Sequence, residues 1–81
     1  MAEEALNVVL RRRDPARSMD RAYCIWLQPV LFGGCDLVRQ WSRAGSLGQQ
    51  RRQHFASEGD ALKGLAEIVA AKKRRGYRSQ G

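Results

Sequence analysis

Two stretches of alternating side chains flank a short segment made for turning. In Arg21–Gln28, Tyr23, Ile25 and Leu27 fall on one side, and Ala22, Cys24, Trp26 and Gln28 on the other. In Cys35–Arg43, Cys35, Leu37, Arg39, Trp41 and Arg43 share one side, and Asp36, Val38 and Gln40 the other. A period of two is the mark of a strand. Between them Pro29 stops the first strand, and Gly33 and Gly34 permit positive φ. A connection this short joins antiparallel strands, because a parallel pair needs a crossover of about a dozen residues or more. The chain is therefore committed to an antiparallel sheet.

The remaining segments extend that sheet and cover it. Val8–Arg13 begins β-branched and ends at the turn signal Asp14-Pro15. Its run of Arg11, Arg12 and Arg13 suits a charged edge strand. Ala44–Gly48 reads as the turn of a second hairpin, and Gln49–Phe55 as a polar strand anchored by Phe55. After Ser57 the period changes. Ala61, Leu62, Leu65, Ala66, Ile68, Val69 and Lys72 follow helical spacing, with Ser57 as N-cap, Asp60 at N3 and Gly76 as the stop. The expected fold is α+β: a single twisted antiparallel sheet of four to five strands with one C-terminal helix packed on one face. The strands lie near 8–13, 21–28, 35–43 and 49–55, and the helix near 58–75. One domain spans 1–81, with its core at about 7–78. A chain this short buries only roughly 60% of its unfolded surface, enough for one modest core.

Charge narrows the function. Fifteen Lys and Arg against eight Asp and Glu leave +7. Such an excess favours polyanions, nucleic acid first. An anionic membrane ranks last, because the basic residues lie beyond the apolar stripe that the core requires. No apolar run approaches the ~20 residues of a transmembrane helix. Glu3 and Glu4 stand where a signal peptide carries basic residues. The expected location is therefore cytoplasmic, with the nucleoid following from DNA binding. No enzyme is expected, since every histidine-based constellation would have to use His54 alone. Cys24, Cys35 and His54 lack paired-ligand spacing, so neither a metal nor another cofactor is expected. With Gln28 opposite Cys35, Cys24 would face Arg39. The two cysteines would then sit roughly 13 Å apart, too far for a disulfide.

Leu37-Val38-Arg39-Gln40-Trp41-Ser42-Arg43-Ala44-Gly45 resembles the signature strand of the WGR domain, named for a Trp-Gly-Arg tripeptide. The likeness runs from about Asp14 to Arg78. It takes in Tyr23-Cys24-Ile25-Trp26-Leu27-Gln28-Pro29, Leu31-Phe32-Gly33-Gly34, the capped helix, and Lys72-Lys73-Arg74-Arg75-Gly76-Tyr77-Arg78. It is most similar to short stand-alone bacterial WGR proteins. The resemblance implies a twisted antiparallel sheet with one helix. In poly(ADP-ribose) polymerases this domain binds nucleic acid, notably DNA ends and breaks. By that resemblance Trp41 and Arg43 contact the nucleic acid, and Arg51 and Arg74 contact phosphate. Ser42 replaces the middle glycine of the signature, and Cys35 stands where related sequences often carry an aromatic residue.

The residues themselves support part of this reading. Trp41 and Arg43 leave one strand face about 6.6–6.8 Å apart, a spacing that suits an aromatic surface for sugar or base and a guanidinium for phosphate. The same alternation also allows Trp41 to be a core residue in line with Leu37. The run Lys72–Arg75, followed by Arg78, exceeds what a helix C-terminus needs to offset its dipole. The expectation is a non-enzymatic module that recognises DNA ends, nicks or gaps, with DNA ahead of RNA. Trp41 and Arg43 would be flanked by Arg51, Arg52, Lys73, Arg74 and Arg75. The alternative is a protein-interaction adaptor or homodimer that docks through Trp26. If that side is not exposed, Trp26 instead belongs to a second small core beneath residues 1–12.

Overall fold

A computed structural model describes residues 7–43 and 48–80. Strand β1 (Asn7–Asp14) leads through a 3₁₀ turn (Pro15–Arg17) into β2 (Met19–Pro29). Then come β3 (Cys35–Arg43), β4 (Gln49–Phe55), helix α1 (Glu58–Arg74) and a two-residue strand β5 (Arg78–Ser79). The sheet is antiparallel, in the order β4-β3-β2-β1-β5. The expected α+β architecture is the observed one. The second hairpin turn expected at Ala44–Gly48 lies, apart from Gly48, outside the described residues.

Alternation decides which side the helix covers. Leu10, Tyr23, Ile25, Leu27, Cys35 and Leu37 all point to one side and pack with Ala61, Leu65 and Tyr77. Val8, Trp41, Phe55, Ile68 and Val69 close around them. Ser57 caps the helix start, its Oγ accepting the Asp60 N–H at 3.1 Å. At the other end the Tyr77 N–H bonds the Lys72 carbonyl at 3.1 Å, and the Gly76 N–H bonds that of Lys73 at 3.0 Å. This double closure needs positive φ at the residue after the cap, and Gly76 has φ +99°.

That closure overturns one expectation. The chain reverses at Gly76, Tyr77 drops into the core, and Arg78–Ser79 pair with Arg11 and Leu10. The Gln80 N–H adds a bond to the Val9 carbonyl at 2.8 Å. β1 is therefore flanked on both sides over its middle and is not a charged edge.

The β2–β3 register also differs from the expected one. Pro29, not Gln28, pairs with Cys35, so Cys24 faces Gln40 and not Arg39. The loop is one residue shorter than the earlier pairing requires, because Pro29 stays in the strand. Val30 and Gly34 close it, with the Val30 N–H on the Gly34 carbonyl at 3.5 Å. Cys24 and Cys35 are both free thiols.

The side away from the helix carries Trp26, which is half-buried and paired with Val38, itself fully buried. β1 lies beside β2 and not beneath it, so residues 7–12 form no second layer under Trp26. Among the described residues, the large apolar side chains most open to water are instead at the β2–β3 tip, where Leu31 is 93% and Phe32 99% exposed.

Candidate nucleic-acid interface

Strand pairing sorts the helix-covered side into rows. The row at the open end is Arg12, Arg21 and Arg43, contributed by β1, β2 and β3. The next is Leu10, Tyr23, Trp41 and Gln49, and the third Val8, Ile25, Arg39 and Arg51. Arg12 thus faces Arg21, Arg21 faces Arg43, and Arg39 faces Arg51. Like charges directly opposite one another destabilise a sheet. Three such pairings on one side are a burden that folding alone does not explain.

The second row supplies a flat aromatic floor. Trp41 stacks on Tyr23 with ring centroids 5.7 Å apart and planes 11° from parallel. Tyr77 meets Tyr23 edge-on at 6.2 Å. The Lys72 Nζ sits 4.3 Å from the Tyr23 centroid and 5.2 Å from that of Tyr77, within cation–π range. Lys72 arrives there because it follows Leu65 and Ile68 on the sheet-facing side of α1. Together these groups line a cleft of about 210 Å³, with Arg21, Arg43 and Lys72 around Tyr23, Trp41 and Tyr77.

Among the described residues no carboxylate pairs with Arg21 or Lys72; Arg11 pairs with Asp20, Arg17 with Asp14, and Arg52 and His54 with Asp36. Burial pushes the Lys72 ammonium below its ordinary pKa, and the charges of Arg75, Arg39 and Arg21 push it the same way. Lys72 therefore answers to cations from both the helix and the sheet.

The side-chain positions divide the sequence-derived candidates. Trp41 is half-buried, packed against the core and at the same time lining the cleft. Arg43 is exposed at the rim. Arg51 lies on the same side of the sheet, opposite Arg39. Arg75 caps the helix and stands close enough to Lys72 to depress its pKa. Lys73 and Arg74 are exposed in the last turn. Arg74, two residues past Lys72, is about 200° round the helix from it and faces away from the sheet. Arg52 belongs elsewhere: its Nη1 holds the Asp36 carboxylate at 3.0 Å on the opposite side. Ser42 pairs with Ala22 on that opposite side too, so its hydroxymethyl group leaves the sheet away from Trp41 and Arg43. Tyr23, Tyr77, Arg21 and Arg39 were not singled out from sequence as site residues, while Lys72 was named only as the start of the basic helix end and Arg12 only within the run Arg11–Arg13. Their signal is the register, which stacks cations on cations.

A family model for the WGR domain matches residues 6–81. The chain belongs to the WGR domain family. An uncharacterized protein of Sinorhizobium fredii, y4dW, is 37% identical to this WGR domain over 78 residues. The alignment covers 96% of this chain and 38% of that protein, so the chain spans well under half the length of the relative. No solved structure matches the chain. In poly(ADP-ribose) polymerases the WGR domain is associated with nucleic-acid binding. The WGR signature strand here is β3, and its Trp41 and Arg43 open onto the cleft. No group of three or more potential ligands that could hold a metal ion occurs among the described residues. No helix among them is long and apolar enough to cross a membrane.

Asp36 shows what the acidic groups of this WGR domain do instead. It is buried, and its carboxylate accepts from the His54 ring at 2.8 Å and from Arg52 at 3.0 Å. The His54 hydrogen bond, then that of Arg52, holds its pKa below the ordinary carboxylate value. A depressed carboxylate stabilises the fold above its unfolded pKa of about 3.9 and stops doing so as pH falls through the lower folded value. Urea midpoints should therefore drop between pH 5 and pH 2. Asp36→Asn should lower the midpoint at pH 7 and flatten part of that acid slope. Asp20, which Arg11 depresses in the same way, contributes to the slope that remains.

Proposed function

We propose that this WGR domain is a non-enzymatic nucleic-acid-binding module that recognises DNA ends, nicks or gaps through Trp41 and Arg43. The observation that carries the reading is the cleft: an aromatic stack ringed by Arg21, Arg43 and Lys72, with no carboxylate paired to Arg21 or Lys72 among the described residues. Guanidinium and ammonium groups take phosphate, and the Trp41 ring takes a sugar or base. A base face is open to a half-buried ring only where stacking is interrupted, which favours ends and breaks over continuous duplex. Phosphate contacts alone would position the strand without discriminating. Binding DNA would place the protein in the cytoplasm, on the nucleoid.

The test is fluorescence anisotropy with four labelled ligands of equal length: end-capped duplex, nicked duplex, 5′-phosphorylated blunt duplex and single strand, each at two salt concentrations. Wild type should prefer broken over intact duplex. Trp41→Ala should weaken binding by about 5–150-fold and erase the preference, as loss of one stacked base contact does. Arg43→Ala should erase it too and shallow the salt dependence by about one phosphate. Equal affinity for all four ligands, unmoved by either substitution, would sink the reading.

A second reading, a protein-interaction adaptor, is favoured by the bare Leu31–Phe32 tip and not by Trp26, which is half-buried. That tip is at the far end of β2 and β3 from Arg21 and Arg43. A partner held there would be insensitive to salt and to Arg43→Ala.

A further inference from the structure

Arg39 carries an anomaly that the cleft does not absorb. Its Nε is shut off from solvent and has no hydrogen-bond partner. A buried donor left unmatched is costly, and more so on a charged group. Folding aggravates the cost by placing Arg51 directly opposite and bringing Lys72 within Coulombic reach. Among the described residues no carboxylate pairs with either arginine. Arg39 as a whole is only part-buried and Arg51 is exposed, and two cations side by side with no carboxylate between them suit an anion.

Its position says which anion. Arg39 stands two residues from Trp41 on the same side of β3, toward the Cys35 end and opposite Arg51 of β4, while Arg43 stands two residues away in the other direction. The two arginines are about 13 Å apart along the strand. Phosphates of one B-form strand advance only about 3.4 Å along the axis per nucleotide, so the two positions hold different phosphates. We propose that Arg39 and Arg51 form a second phosphate subsite, so that one strand is held by phosphodiesters on both sides of the Tyr23–Trp41 stack. This rests on the nucleic-acid reading above, extends it to residues on the β4 side, and assigns Arg39 a binding role.

The arginine Nε–H signals in ¹⁵N NMR spectra test the subsite directly. The Arg39 signal is assigned by its absence in Arg39→Lys and followed during addition of inorganic pyrophosphate and, separately, of nicked duplex. It should move with both. In parallel, Arg39→Gln should weaken nicked-duplex binding about tenfold and reduce the magnitude of the salt slope by about 0.9. It should keep the preference for nicked over intact duplex, since Trp41 and Arg43 are untouched. Its melting temperature should hold or rise, because a repulsive pairing is removed. An Arg39 signal still under both additions, or an unchanged salt slope in Arg39→Gln, overturns the subsite. If pyrophosphate moves the signal but no DNA binds, the anion subsite stands and the nucleic-acid reading fails. If DNA binds with its break preference while the Arg39 signal stays still, the nucleic-acid reading stands and the subsite fails.

Discussion

Lys72→Glu should abolish nucleic-acid binding while leaving the domain folded. The substitution places a carboxylate in a cluster that contains Arg21, Arg39 and Arg75. Any phosphate held by Arg21 and Arg43 would then meet a negative charge at the wall of the cleft. Like charges brought together at an interface cost several kcal/mol, and 100-fold in affinity corresponds to about 2.8 kcal/mol. A loss of 100-fold or more in anisotropy titrations is therefore expected. Stability should move the other way or not at all. Burial and cationic neighbours depress the Lys72 pKa, so the charged form is disfavoured in the folded state. For a depressed lysine that penalty is in force below the folded pKa and is relieved as pH rises through it toward about 10.4. Removing the ammonium removes the penalty, and the new carboxylate gains guanidinium partners. The opposing term is the cation–π contact with Tyr23 and Tyr77, about 0.5–2 kcal/mol. Melting by circular dichroism should place Lys72→Glu within a few degrees of wild type. A large fall in melting temperature would mean that Lys72 is there to hold the helix on the sheet.

The alternation in β2 and β3 made the sheet legible, because each strand has one apolar side and a slip would expose it. The helix was legible through its change of period and through Ser57 and Gly76, residues whose chemistry marks helix ends. The register was not. Placing Gln28 opposite Cys35 sets Tyr23 beside Gln40, whereas the observed pairing of Pro29 with Cys35 sets it on Trp41. That one rung separates an unremarkable strand from a stacked aromatic floor with Arg21 beside Arg43. Proline ending a strand and proline staying as its last residue look alike in sequence. β5 was equally hidden. Two residues carry no periodicity, and only the reversal at Gly76 delivers them to β1. Arg52 shows the converse limit. It neighbours Arg51 in the chain, but alternation sends it to the opposite side, where Asp36 holds it. A basic run read along the sequence therefore overstates the patch.

Gly34→Ala should be the most damaging single-methyl change at the end of the sheet remote from the cleft. Gly34 has φ +87°, a conformation that side chains with a Cβ rarely adopt. A Cβ there would fall on the Phe55 carbonyl oxygen, with the His54 ring Cε1 and Nε2 at 2.8 and 2.9 Å. The imidazole can swing aside, but the carbonyl belongs to the end of β4 and cannot yield without disturbing the Cys35–Phe55 pairing. Backbone strain of about 1–2 kcal/mol adds to overpacking of about 1–3 kcal/mol. For a domain of this size each kcal/mol moves the melting temperature by about 4–8 °C. Gly34→Ala should thus melt roughly 10–40 °C below wild type. Gly33→Ala is the matched control. Gly33 has φ +102°, yet nothing lies within 4 Å of where its Cβ would be. It carries the strain without the collision, and its loss should be about half as large or less. Arg43 stands eight residues along β3 from Cys35, about 26 Å at strand rise. At temperatures where Gly34→Ala remains folded, its affinity for nicked duplex should therefore equal that of wild type. A melting temperature unchanged by Gly34→Ala would show that the β2–β3 loop can leave the Phe55 carbonyl freely. An affinity that fell with stability would show that the two ends of the sheet are coupled.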